Sequence, residues 1–266
     1  MSVETLLKKD NYTPDDLREI MEILRGEGGC PWDREQDHKS IRNNFIEEVY
    51  EVVEGIDNDD DAIIKEELGD VLLQVVFHAR IAEEAGKYNL DDVADGICKK
   101  LILRHPHIFS DVKVKDSAEV LKNWDEIKKT EKSQKSYTDT LKGVSASLPA
   151  LVRASKIKAK ACKAGFEYPD ISGAVDKVSE EFSEVKAEIE NNNAEGIKEE
   201  IGDLLFAVAN LARMCGVNAE EALYNTNNKF IDRFEKTENL ARNNGKDLAQ
   251  LNISEKIELW NTAKKL

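Results

Sequence analysis

Along most of the chain, apolar residues recur every three or four positions among Leu, Ala, Glu and Lys. That period is the 3.6-residue repeat of helices packed on one side, and those residue types are good helix formers. No alternating run is long enough to predict a strand, and only five prolines and 14 glycines punctuate the 266 residues. The pattern predicts an all-α fold. Two stretches depart from one-sided patterning. In Val71–Ala79, broken only by Gln74 and His78, and again in Leu204–Ala209, apolar residues point in nearly every direction. Such helices are expected to be buried on most sides. A helical wheel sets Leu68, Val71, Leu72 and Val75 on the core stripe, with Leu73, Val76 and Phe77 making the rest of the helix apolar. This exceeds what one short bundle can cover and predicts a homodimer at least.

Acidic phrases flank these helices, and they occur twice. Glu47, Glu48 and Glu51 in "EEVYE" match Glu180, Glu181 and Glu184 in "EEFSE" at an offset of 133 (47 to 180). "KEELGD" at Lys65–Asp70 matches "KEEIGD" at Lys198–Asp203 at the same offset. Lys100 and Arg104 are matched by Lys229 and Arg233 at an offset of 129 (100 to 229), and each half closes on a tryptophan helix, around Trp124 and Trp260. Internal repetition of this kind predicts two tandem helical-bundle domains, residues 1–132 and 150–266. The polar stretch "SQKSYTDTLKGVSASLP", 133–149, lacks a clean helical stripe over its first half and is read as the linker.

Glu-x-x-Glu on a helix is commonplace and usually marks a solvated face. The register argues otherwise here. Glu48 and Glu51 share one helix face, as do Glu67 and Asp70. If the two segments form an antiparallel hairpin through "DNDDDA", the pairs Glu48/Asp70 and Glu51/Glu67 share one midpoint, Asp59, within the turn. In the second half Glu181/Asp203 and Glu184/Glu200 share the midpoint Asn192, the centre of "NNN". Each hairpin therefore brings four carboxylates to one level. Clustered carboxylates repel one another and raise one another's pKa, so the arrangement calls for a neutralising cation. Mg²⁺, with Mn²⁺ as a substitute, suits an all-oxygen set. Neither quartet holds a His, which argues against zinc and against the Glu-x-x-His di-iron bundles. The Lys100/Arg104 and Lys229/Arg233 pairs then read as phosphate clamps.

Composition narrows the partners. A formal net charge of −15 repels nucleic-acid backbones and anionic membranes, so neither is expected as a partner. Cys30, Cys98, Cys162 and Cys215 are scattered and read as free thiols of a reducing cytoplasm. The opening "MSVETLLKKDNY" has no apolar core of signal-peptide length, and the longest apolar run is far too short to span a bilayer. No phosphate-cradling Gly-Lys-Ser/Thr loop, Gly-x-Ser-x-Gly or His-Glu-x-x-His occurs.

"GCPWDREQ", "EEVYEVVEGI", "EELGDVLLQVVFHARIA" and "RHPHIFSDV", with "GFEYPD", "VDKVSEEFSEV", "EEIGDLLFAVANLAR", "NNKFIDRF" and "ELWNTAKK", resemble the two halves of the MazG family of nucleoside triphosphate pyrophosphohydrolases, over residues 17–266. The resemblance implies an all-α homodimer that hydrolyses NTP or dNTP to the monophosphate and pyrophosphate with Mg²⁺ and broad base tolerance. It implies that the C-terminal half carries most of the activity, with Glu181, Glu184, Glu200 and Asp203 as metal ligands. Glu48, Glu51, Glu67 and Asp70 are the matching set. It also implies that Lys229 and Arg233 hold phosphates and that Lys177, Trp260 and Lys264 lie near the nucleotide. Lys177 shares the face of Glu181, but its counterpart is Asn44, which weakens the case for triphosphate binding by the first half. The expected chemistry is metal-assisted hydrolysis, with a neighbouring glutamate accepting the water's proton: Glu47 or Glu66 in the first half, Glu180 or Glu199 in the second. Two rivals stand beside this reading, a narrow-specificity relative acting on dUTP or phosphoribosyl-ATP and a non-enzymatic helical regulatory module.

Overall fold

The computed structural model describes residues 3–131 and 136–265, the side chains of 122, 125 and 129 excepted. Every regular element among them is helical. The chain divides after Lys128 into two compact units. Among the described residues no helix is long and apolar enough to cross a membrane. The first unit holds α1 (Val3–Leu6), α2 (Pro14–Arg25), α3 (Pro31–Glu35), α4 (Arg42–Asp57), α5 (Asp61–Glu84), α6 (Leu90–Arg104), α7 (Pro106–Phe109) and most of α8 (Ser117–Glu131). The second holds α9 (Tyr137–Lys142), α10 (Ala150–Cys162), α11 (Ile171–Glu190), α12 (Ala194–Met214), α13 (Ala219–Asn243), a 3₁₀ turn at Leu248–Gln250 and α14 (Ile253–Ala263).

The stretch read as a linker is partly helical. Ser136 accepts from the Asp139 amide at 3.1 Å and Asp139 accepts from the Ser136 amide at 2.9 Å. This reciprocal cap starts α9, which packs against α10. Residues 132–135 lie outside the described set.

Each unit is built around one antiparallel hairpin, α4 with α5 and α11 with α12. The two turns are made alike. Asp59 and Asn192 both adopt a left-handed backbone, with φ of 53° and 52°. They are the residues at which the sequence register placed the two midpoints. The next amide bonds back to a helical carbonyl, Asp60 to Gly55 at 2.9 Å and Asn193 to Glu188 at 3.0 Å, which closes the first helix. Asp60 and Asn193 then cap the second helix, at Ala62 and Ile63 and at Gly196. The hairpins are pinched on opposite sides. A Cβ on Gly55 would sit 3.0 Å from both Ile63 Cγ2 and the Ile64 amide nitrogen. In the second unit the small residue is on the returning helix, where Gly196 makes room for Glu188.

The cores differ in texture. Met21, Ile41, Val76, Phe77 and Ile81 pack with Leu17, Leu73 and Leu90 in the first unit. Ala154, Ala209 and Ala219 pack with Leu151, Phe206 and Ala212 in the second. Small side chains let α10 and α13 lie close to α12. The expected core stripe of α5 is displaced: Leu68 is 52% and Leu72 40% exposed, Val71 and Val75 are half-buried, and the buried set is Gln74, Val76, Phe77, Ala79, Ile81 and Ala82. α12 behaves the same way, with Leu205 52% and Val208 42% exposed while Ala207, Ala209 and Asn210 are buried. A helix apolar on all sides has no phase for periodicity to report, so the side facing α2 or α10 is set by tertiary packing.

Candidate active site

Hairpin register does what equal spacing requires. In the first unit, carboxylate oxygens of Glu48, Glu67 and Asp70 lie within 4.8 Å of one another, and in the second those of Glu181, Glu184 and Glu200 do. The fourth member of each quartet is close by. Glu51 lies close enough to Glu67 to raise the pKa of that carboxyl. Asp203 lines a small cavity of about 70 Å³ together with Glu181 and Lys177. Asp70 is half-buried and Asp203 exposed.

Crowding is visible in the acidities. Burial, then the Asp70 and Glu51 charges, raises the Glu48 carboxyl above its ordinary value. Burial followed by Glu51 raises Glu67. Burial and the bond to Glu181 raise Glu184, and burial followed by Glu184, Asp203 and Glu181 raises Glu200. All four shifts have the sign expected of partly buried carboxylates crowded together.

The units part company at the cation. Lys177 Nζ lies 2.8 Å from Glu181 and 2.9 Å from Glu180, and these carboxylates raise its pKa. The corresponding Asn44 is exposed. In its absence Glu48 is met from α5 by the buried Gln74, whose Nε2 lies 3.4 Å from Glu48 Oε1. The Gln74 Oε1 has no partner among the described residues. The residue 133 positions on (74 to 207) is Ala207, which lines the small cavity. A glutamine thus extends from a helix position where the second unit has only a methyl group.

The remaining predicted residues are distributed unevenly. Glu180 reaches the site through Lys177, while Glu47, Glu66 and Glu199 are exposed and outside the carboxylate clusters. Lys229 and Arg233 lie on α13, and Trp260 and Lys264 on or just after α14; none lines the small cavity. Trp260 packs on Phe230, ring centroids 5.0 Å apart, and helps line a separate apolar cavity of about 480 Å³. In the first unit Lys100 is exposed and the Arg104 guanidinium sits 5.9 Å above Trp124, which also meets Lys128 at 5.5 Å.

Sequence reasoning did not single out Lys158, Tyr168 and Asn210, which line the small cavity. Nor did it find the pairing of His38 with His78, whose Nδ1 atoms are 2.8 Å apart. Gln74 and His78 did carry a signal, as the only polar breaks in an apolar run; Lys158 carried none.

Comparison with known proteins points to one family. The MazG nucleotide pyrophosphohydrolase domain matches twice, over residues 36–109 and 172–237, so that each match contains one quartet. The chain is 42% identical to the nucleoside triphosphate pyrophosphohydrolase/pyrophosphatase MazG of Thermotoga maritima, over 97% of this chain and 98% of that one. It is 41% identical to the nucleoside triphosphate pyrophosphohydrolase of Escherichia coli K12, over 94% of this chain and 97% of that one. The crystal structure of a mazG-related protein from Thermotoga maritima aligns with a TM-score of 0.38 at 29% identity, covering 43% of this chain and 98% of that one. Two domain matches, each enclosing a carboxylate hairpin, and near full-length identity to curated relatives place the chain in the MazG nucleotide pyrophosphohydrolase family.

Proposed function

We propose that the chain is a nucleoside triphosphate pyrophosphohydrolase dependent on a divalent cation, Mg²⁺ or Mn²⁺ in its stead, with its main site in the second unit. The observation that carries this reading is the cluster of Glu181, Glu184 and Glu200 beside Lys177 and a cavity. The donor set fits a hard cation. Ligand oxygens on opposite sides of Mg²⁺ stand about 4.2 Å apart, twice its ~2.1 Å bond length, and the carboxylate oxygens already lie within 4.8 Å of one another. Their raised pKa values are what a bound cation would relieve. Glu181, Glu184, Glu200 and Asp203 would hold it, as Glu48, Glu51, Glu67 and Asp70 would in the first unit. When bound, such an ion supplies charge neutralisation for the phosphates and a more acidic water.

The chain's own groups supply the rest. Water adds across the α–β phosphoanhydride, giving the monophosphate and pyrophosphate, and one proton must leave the water. Glu180, tied to the site through Lys177, is the best placed of the four neighbouring glutamates to accept it. Lys177 is shared between carboxylates and can turn to phosphate oxygens once a cation takes its place beside Glu181. We assign Lys229 and Arg233 to further phosphate contacts and Trp260 and Lys264 to the nucleotide, in line with the family resemblance. These groups address phosphate and metal more than base edges, which supports broad base tolerance. The exposed apolar side chains Leu68, Leu72, Leu205 and Val208 beside the quartets support a homodimer that covers them.

A panel of NTPs and dNTPs with Mg²⁺, with products identified, tests the proposal. Pyrophosphate and the monophosphate are expected, and EDTA is expected to stop the reaction. A nucleoside diphosphate as first product, or activity undiminished by EDTA, would overturn it. Turnover confined to one nucleotide would favour the narrow-specificity reading.

A further inference from the structure

α10 packs against α12 and places Lys158 in the wall of the cavity that holds Glu181, Asp203 and Lys177. Its ammonium stands among three aromatic rings. It lies 5.5 Å from the centroid of Phe206, 5.7 Å from Phe166 and 5.9 Å from Tyr168. Aromatic faces attract a cation without consuming its N–H donors. Among the described residues no carboxylate forms an ion pair with Lys158. The first unit offers a contrast. α2 packs on α5 there, and its only cations, Arg18 and Arg25, are paired with Asp91 and Glu84. Lys158 is therefore a cation held in place without an ion-pair partner, at the cavity proposed above to take a triphosphate. The cavity is small, about 70 Å³. That suits phosphoryl oxygens, while a base or ribose needs more room.

We infer that Lys158 is a phosphate-binding residue whose ammonium donates to oxygens at the β–γ end of the substrate and of the pyrophosphate that leaves. The assignment rests on the triphosphate reading above and adds a residue to it. Phe166, Tyr168 and Phe206 are positioning residues that hold the ammonium over the cavity while leaving its donors free.

The test compares wild type with Lys158→Gln and Lys158→Arg, using calorimetric binding of pyrophosphate in the presence of Mg²⁺, KM and kcat for a triphosphate, and Tm. Exchanging a charge-assisted hydrogen bond for one from a neutral amide weakens binding by about ten- to a hundredfold. The expected result is a loss of that size in pyrophosphate affinity, with a matching rise in KM for Lys158→Gln. Lys158→Arg should recover most of it, and all three proteins should melt alike. Unchanged pyrophosphate affinity in Lys158→Gln would overturn the assignment. So would a loss shared equally by Lys158→Arg and accompanied by a lower Tm in both, because that marks a packing role. Binding is read without turnover, so the two readings separate: a wild type that binds pyrophosphate through Lys158 yet hydrolyses no triphosphate defeats the proposed activity alone.

Discussion

Lys177 Nζ lies 2.8 Å from Glu181 Oε1, one helical turn along α11, whereas the same place in the first unit is taken by Asn44 and Glu48 is met by Gln74 instead. The second unit has an ammonium where the first has a neutral amide, and on the proposed reading that ammonium turns to a phosphate oxygen. Asp203→Asn or Glu200→Gln should therefore remove most pyrophosphate release, on the order of a hundredfold or more in kcat/KM, equivalent to about 2.7 kcal/mol. Asp70→Asn and Glu67→Gln should remove much less. Pyrophosphate-coupled assays on the four purified variants measure this directly, and a dead Asp70→Asn beside an active Asp203→Asn would reverse the assignment.

The same comparison says what the first unit lacks. Asn44→Lys with Gln74→Ala gives it the cation of the second unit and removes the side chain that meets Glu48. Placed in an Asp203→Asn background, the pair should raise pyrophosphate release several-fold above Asp203→Asn alone. No gain, in a protein that still folds and binds Mn²⁺, would mean that the two units differ for another reason.

Acid should help the metal-free carboxylate sites. Glu48, Glu67, Glu184 and Glu200 have folded-state pKa values above the ordinary 4.5. A raised pKa contributes stability that is present below the unfolded value and is lost as pH rises through the folded one. At pH 7 without metal the sites are in their repulsive state. Glu200→Gln should then melt higher than wild type, with the gap closing as pH falls toward 4.5. Adding Mg²⁺ at pH 7 should raise the wild-type Tm and move the variant less. Thermal scans with and without EDTA decide it.

His78 acts with the opposite sign. Burial, then the charge of His38, lowers its pKa below the ordinary 6.5, and the two rings stack with centroids 5.1 Å apart. A depressed pKa on a base contributes stability present above its unfolded value and lost as pH falls through the folded one. His78→Phe keeps a ring in the pocket beside Phe45 and cannot charge. Its stability relative to wild type should improve as pH drops from 7 to 5, read by urea denaturation at each pH. A constant difference would contradict the assignment.

The turn residues give a structural check. A left-handed backbone costs an ordinary residue roughly 1–2 kcal/mol, and Asn or Gly tolerates it. Asn192→Val should cost about that much or more, while Asn192→Gly should unfold near the wild-type midpoint.

Some of this molecule was decided by sequence alone. Helix periodicity fixed the all-α class, and equal spacing of Glu-x-x-Glu and Glu-x-x-Asp about Asp59 and Asn192 fixed both hairpins and the meeting of Glu48 with Asp70's helix and of Glu181 with that of Asp203. These are local properties: residues three apart share a face, and a tight turn leaves only one register for the returning helix. The phase of α5 was not legible, because Leu68, Leu72, Val76 and Phe77 are equally apolar, and the packing of α2, α4 and α6 chooses among them. Lys158 was invisible for a related reason. Its three rings come from the loop after α10 and from α12, and no spacing along the chain encodes their convergence on one ammonium. Local geometry gave the carboxylates, whereas the cation over the cavity and the glutamine beside Glu48 depend on how separate helices pack.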